Sequence, residues 1–159
     1  MTIDKSSPLW NFLNIDIQDF CWYFRRPSLA KFRWKSKKNN PYEGECKLSI
    51  EVSNYLTAKT SKGELTQVWT KIANEGIQSA QSGALMRCMG KNSGVADFLI
   101  ACSWGNLWIE LKATPKGKPS PAQEIFKTWC NYHENQHYHL CDSLEKVIAV
   151  LKKYGLVTD

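Results

Sequence analysis

The stretch GVADFLIACSWGNLWIELKA, residues 94–113, decides the fold. It reads as two apolar strands, at about 96–102 and 107–113, joined by a tight turn, with Gly94 and Gly105 as turn glycines. Only Asp97, Glu110 and Lys112 carry charge in it. The two-residue period of a strand puts Glu110 and Lys112 on one face and Ile109 and Leu111 on the other. If the loop around SWGN (103–106) has an even number of residues, Asp97 falls opposite Glu110 or Lys112 and shares their face; a three-residue loop reverses this. Neighbouring buried carboxylates are unfavourable unless a cation compensates them. A lysine offsets one charge, and hard oxygen ligands favour Mg²⁺ or Mn²⁺ for the rest. Such an ion also engages phosphate, and the lysine would orient or activate the attacking water and stabilise charge developing on phosphorus. The plain alternative is a strand pair whose charges face solvent, because D…E-x-K is a short and common pattern.

Working outward, YEGECKLSIEVSNYLTAK places Leu48, Val52, Tyr55 and Leu56 at helical spacing and predicts a helix over 44–58, ended by SKG at 61–63. LTQVWTKIA (65–73) suits a strand, NEG (74–76) a turn, and SGALMRCMG (82–90) a short helix closed by Gly90. In KGKPSPAQEIF, Ser120 is an N-cap, Pro121 the first helical residue and Gln123 the third, a capping box that opens a helix from 120 to about 133. HYHLC (137–141) follows as a strand and DSLEKVIAVLKKYG (142–155) as an N-capped amphipathic helix stopped by Gly155. The order α-β-α-β-β-α-β-α predicts a mixed α/β domain.

The chain has 159 residues, 43% hydrophobic and 23% charged, which fits one globular domain. The six cysteines form no C-x-x-C pair and suit a reducing compartment. MTIDKSSPLW lacks a signal-peptide pattern and no apolar run approaches the ~20 residues of a membrane span, so a cytoplasmic protein without membrane attachment is expected. Net charge is +6, concentrated in 21–42. Of the 21 basic residues, Arg25, Arg26, Lys31, Arg33, Lys35, Lys37 and Lys38 lie there without an acid among them, and the remaining 14 face 15 acidic residues elsewhere. Interleaved with Trp22, Tyr23, Phe24, Phe32, Trp34 and Tyr42, that segment could track a phosphate backbone and stack bases; alternatively it is a solvated arm or packs on the main domain. Residues 1–42 thus read as a basic, aromatic N-terminal extension and 43–159 as the domain proper.

GVADFLI followed by LWIELKA and KGKPSPAQEIF, with NEG upstream, MG before the GVAD loop and the closing YHLCDSLEKVIAVL, resembles the virus-type replication–repair nuclease (VRR-NUC) module of the PD-(D/E)xK superfamily, over roughly residues 43–156. The resemblance implies a restriction-endonuclease-like core, a mixed β-sheet flanked by helices. It implies a divalent-metal-dependent nuclease, phage-encoded or bacterial, that cuts DNA phosphodiesters on junction, flap or other branched DNA in replication, recombination or repair. Small stand-alone members of the family are dimers with Holliday-junction-type activity, so a homodimer is implied too. Carried over residue by residue, Asp97 and Glu110 match the metal-binding carboxylates, Lys112 the catalytic lysine and Gln123 the helix glutamine that faces the site. The family also has a glutamate on its first core helix; Glu45 aligns best as a third metal ligand, with Glu43 and Glu51 as rivals. Ala96 stands where the superfamily carries the proline of PD, a residue that shapes the strand start and contributes no chemistry.

Lys116, Lys118 and Lys127 around the PKGKPS loop are candidate phosphate contacts, as are Arg87 and Lys91 beside MGKNSG and Arg25, Arg26, Arg33, Lys35, Lys37 and Lys38 in the extension. A solvated loop is the alternative for the first group. Cys130, His133, His137, His139 and Cys141 hold enough ligands for zinc, but alternate strand positions point apart, and a packed cysteine with surface histidines is the simpler reading. Trp104 at the hairpin tip reads as exposed packing or a dimer contact. Two further functions compete with the nuclease: a catalytically inactive nucleic-acid-binding module on the same fold, and an adaptor that docks a replication protein through residues 1–42.

Overall fold

The computed structural model describes residues 43–72, 80–112 and 118–158. The described elements are α1 (Glu43–Ser61), β1 (Val68–Lys71), α2 (Ala80–Cys88), β2 (Phe98–Cys102), β3 (Gly105–Leu111), α3 (Pro121–Tyr132), β4 (Gln136–Cys141) and α4 (Leu144–Lys153). This is the order the sequence predicts. The chain divides into two compact units: one runs to Thr66 and resumes over Ser143–Asp159, and the other is Gln67–Asp142.

The second unit is built on the hairpin. Cys102 pairs with Gly105 across a two-residue turn, Ser103–Trp104, and the antiparallel ladder continues to Phe98↔Ile109. The loop is therefore even, and one further step of the register sets Asp97 across from Glu110. Antiparallel β1 joins β2, and β4 runs parallel to β3, giving the sheet order β1-β2-β3-β4. The parallel step needs a crossover, which α3 supplies by packing on β4. One face of the hairpin is fully apolar and inaccessible: Phe98, Ile100, Leu107 and Ile109 are each 0% exposed. The other carries Trp108, which meets Phe126 of α3 edge to face at 5.1 Å; Phe126 also meets Tyr138 at 6.2 Å. The indole of Trp108 donates to the Gln136 side-chain oxygen at 2.7 Å.

In the first unit α1 packs on α4. Leu48, Val52 and Leu56 repeat every fourth residue on α1 and are buried, as are Val147 and Leu151 on α4. Ser143 caps α4 by accepting from the Lys146 amide. The helix closes as Gly155 N–H donates to Lys152 O and Leu156 N–H to Leu151 O, both at 2.9 Å.

Differences from the sequence reading lie at element ends. The β1 ladder is limited to Val68–Lys71, shorter than 65–73, with only Trp69 of the four buried. Leu65 is buried before the strand begins. Helix α2 starts two residues earlier than expected and ends before Gly90, whose N–H caps Arg87 O. The NEG turn and the extension 1–42 lie outside the described residues. Among the described residues no helix is long and apolar enough to cross a membrane.

The capping box at α3 forms as its spacing requires: Ser120 Oγ accepts from Gln123 N, and Gln123 Oε1 accepts from Ser120 N. Ser120→Ala is expected to cost about 1 kcal/mol, the usual value of an N-cap. A urea titration that finds no shift in midpoint would place the cap's contribution elsewhere.

Candidate active site

The charged triplet of the hairpin converges at the end of β3. Asp97 is 7% exposed and Glu110 2% exposed, an environment that requires partners for both carboxylates. Asp97 Oδ2 accepts from the Leu111 backbone N–H at 2.9 Å, so the residue before β2 is tied to the end of β3. Its Oδ1 faces the Lys71 ammonium at 3.3 Å. Glu110 Oε1 faces the Lys112 ammonium at 3.1 Å and accepts from Gln123 Nε2. The backbone N–H of Lys112 donates to Cys141 O at 2.9 Å, which anchors the lysine to β4.

Gln123 links cap and site. Its oxygen is held by the Ser120 N–H, so its NH₂ is the end turned to Glu110. The loop leading to Asp97 is packed against the same helix end. Gly94 has φ +82°, and a Cβ there would stand 2.3 Å from Ala122 C and 2.6 Å from Gln123 N. Only glycine allows this approach. Glu110, Lys112 and Gln123 are thereby in direct contact, and Asp97 is tied to the Leu111 backbone that lies between Glu110 and Lys112.

The other candidates lie at other points along the chain. Glu45 lies on α1 in the first unit and is partly buried, while its rival Glu51 is exposed on the same helix; the side chain of Glu43 lies outside the description. Lys118 is exposed ahead of α3, Lys127 on α3 pairs with Glu124 at 3.5 Å, Arg87 ends α2 exposed, and Lys91 follows α2. Lys116, Arg25, Arg26, Arg33, Lys35, Lys37 and Lys38 lie outside the described residues.

Two neighbours of the site were not foreseen. Lys71 sits two residues after the buried Trp69, in the same phase of β1, with its side chain partly exposed beside Asp97. Tyr138, level with Trp108 in the β3–β4 register, buries its hydroxyl without a hydrogen-bond partner. Burial, then the charges of Glu110, Glu124 and Asp97, pushes its phenol well above the ordinary range. Its alternation with Leu140 was legible in HYHLC; its nearness to two carboxylates was not.

The donor chemistry fits a hard divalent cation: two buried carboxylates, with an orphaned hydroxyl in their electrostatic field. Mg²⁺ is held by one or two carboxylates with waters completing its shell. Among the described residues no group of three or more His, Cys, Asp or Glu could hold a metal. The Cys130–Cys141 stretch accordingly does not gather for zinc. Cys130 and Cys141 are buried, and His137 stacks edge-on against Trp104 at 5.1 Å. Cys46, Cys88, Cys102, Cys130 and Cys141 are free thiols.

Burial raises the Cys130 thiol from 9.0 to about 11. Cys130 and Tyr138 are both held neutral in the fold and ionise more readily once unfolded. Their contribution to stability is whole below the unfolded thiol value and is lost as pH rises through the folded ones. Urea midpoints are expected to hold up to about pH 8 and fall by about pH 11, with a smaller fall in Cys130→Ala. An identical fall in that variant would acquit the thiol.

No protein-family model matches the chain, and no curated protein does. A solved structure described as a VRR_NUC domain protein matches it with a TM-score of 0.51 at 20% identity, over 69% of this chain and 86% of that one. The chain has the VRR-NUC fold, a mixed sheet with helices of the restriction-endonuclease-like type, as its motifs imply.

Proposed function

We propose that this protein is a divalent-metal-dependent endonuclease that hydrolyses DNA phosphodiester bonds, with branched DNA as its substrate, in the replication, recombination or repair of a bacterium or phage. One observation carries the reading: Asp97, Glu110, Lys112 and Gln123 meet at one end of the hairpin, on a fold used by a nuclease family. Asp97 and Glu110 would hold Mg²⁺ or Mn²⁺. Bound there, the cation would supply Lewis-acid polarisation of the phosphate and a more acidic water.

The remaining work falls to side chains. The Leu111 N–H and Gln123 Nε2 keep the two carboxylates in fixed positions, so little reorganisation is needed at the moment of reaction. The Lys112 ammonium, beside Glu110, orients the attacking water and offsets charge on the phosphoryl oxygens. The water oxygen bonds to phosphorus as the ester P–O bond breaks; the water gives up a proton to solvent and the leaving sugar oxygen takes one from solvent. Lys118, Lys127, Arg87 and Lys91 would contact flanking phosphates, as would the basic extension. A homodimer would present two such sites to two strands. Residues 1–42 could also engage a replication protein.

The test is a panel of labelled duplex, single-stranded, flap and four-way-junction DNA with Mg²⁺ or Mn²⁺. Cutting that favours a branched substrate is expected. Tight binding with no cutting under either metal would instead favour an inactive nucleic-acid-binding module.

A further inference from the structure

The site contains two lysine–carboxylate pairs of unequal exposure. The Lys112 and Glu110 side chains are 14% and 2% exposed, whereas Lys71 is 37% exposed against 9% for Asp97. Asp97 Oδ2 accepts from the Leu111 N–H, and the Lys71 ammonium stands on Oδ1. A cation that takes Oδ1 competes with that ammonium for it. The displaced group cannot go far inward: it lies 5.5 Å from the Phe98 ring centroid, and that ring is buried. Its strand is fixed to the Asp97 backbone by the Ile72 N–H···O bond of 2.7 Å. The open direction is toward solvent, where a phosphodiester would arrive.

We propose that Lys71 is a phosphate-binding residue of this site: it neutralises Asp97 in the free protein and transfers to a non-bridging oxygen of the DNA backbone when the site is filled. This rests on the nuclease reading for its substrate class. Position supports it, because an ammonium on a flexible stem is a mobile point charge suited to phosphate. More than a third of its side chain is exposed, so the ammonium is within reach of a ligand arriving from solvent.

The full chain and its Lys71→Met and Lys71→Arg variants would be compared in three measurements. These are salt-dependent binding of junction DNA with Ca²⁺ in place of Mn²⁺, Mn²⁺ binding by calorimetry without DNA, and steady-state cleavage with Mn²⁺. Losing one phosphate contact should lower the slope of log K against log salt by about 0.9. Lys71→Met is expected to show that fall in slope, with KM raised about tenfold and kcat changed little, while Mn²⁺ binding is undiminished. Lys71→Arg should restore the slope. An unchanged slope in Lys71→Met, or Mn²⁺ binding that weakens in step with DNA binding, overturns the proposal, the second because Lys71 would then act only through Asp97. Wild type that cuts while Lys71→Met keeps its slope sinks this proposal and leaves the nuclease standing. Wild type that binds without cutting while Lys71→Met loses slope does the reverse.

Discussion

Lys112→Ala is expected to lower the rate of DNA cleavage about 10²–10³-fold, the usual cost of removing one preorganised group that stabilises transition-state charge. The loss should fall on kcat more than on KM, because the ammonium is turned to Glu110 inside the site rather than to solvent. Removing it also leaves Glu110 buried beside one less cation, so some stability is lost as well. Rates are therefore to be measured under single-turnover conditions at a temperature where circular dichroism shows the variant folded. Lys112→Arg separates charge from chemistry: it should keep the fold and recover little of the rate. A rate in Lys112→Ala within threefold of wild type would remove the lysine from the mechanism.

Gly94→Ala should be among the most damaging single-methyl changes in the second unit. The new Cβ would lie 2.3 Å from Ala122 C and 2.5 Å from Ala122 O, backbone atoms that cannot turn aside as a side chain would. The left-handed conformation adds about 1–2 kcal/mol and overpacking about 1–3, so a loss of roughly 2–5 kcal/mol is expected. Gly90→Ala is the internal control. Its φ of +92° is comparable, but a Cβ there meets nothing within 4 Å. It should lose only the conformational part. The two unfolding curves differ by the steric part alone, and equal losses would mean that the approach of the Asp97 loop to α3 is not tight. Where Gly94→Ala still folds, the displaced helix end moves Gln123 from Glu110, and cleavage should fall further than stability does.

What the sequence made legible follows the range of the interactions. The hairpin was readable because its two strands are adjacent and their pairing depends on one loop length. The two-residue turn at Ser103–Trp104 then decided the parity that had been left open. The α3 start was readable because Ser120, Pro121 and Gln123 lie within four residues, and the same glutamine that completes the cap reaches Glu110. Lys71 and Tyr138 escaped for the opposite reason. Lys71 meets Asp97 26 residues away, through a strand pairing that local pattern does not specify. Tyr138 is placed by a parallel register that depends on the length of the α3 crossover. The helical period established α1 and its apolar face at Leu48, Val52 and Leu56, but it does not choose among Glu43, Glu45 and Glu51 as a ligand.

The central claim is that Asp97 and Glu110 together make this chain a metal-dependent nuclease. The most direct measurement is single-turnover cleavage of a labelled four-way junction by wild type and by the Asp97→Asn, Glu110→Gln double variant, with Mn²⁺ and with chelator. The account predicts cutting by wild type that stops with chelator and is absent in the folded double variant. Cutting by the double variant at the wild-type rate, or cutting by wild type that survives chelation, would contradict it.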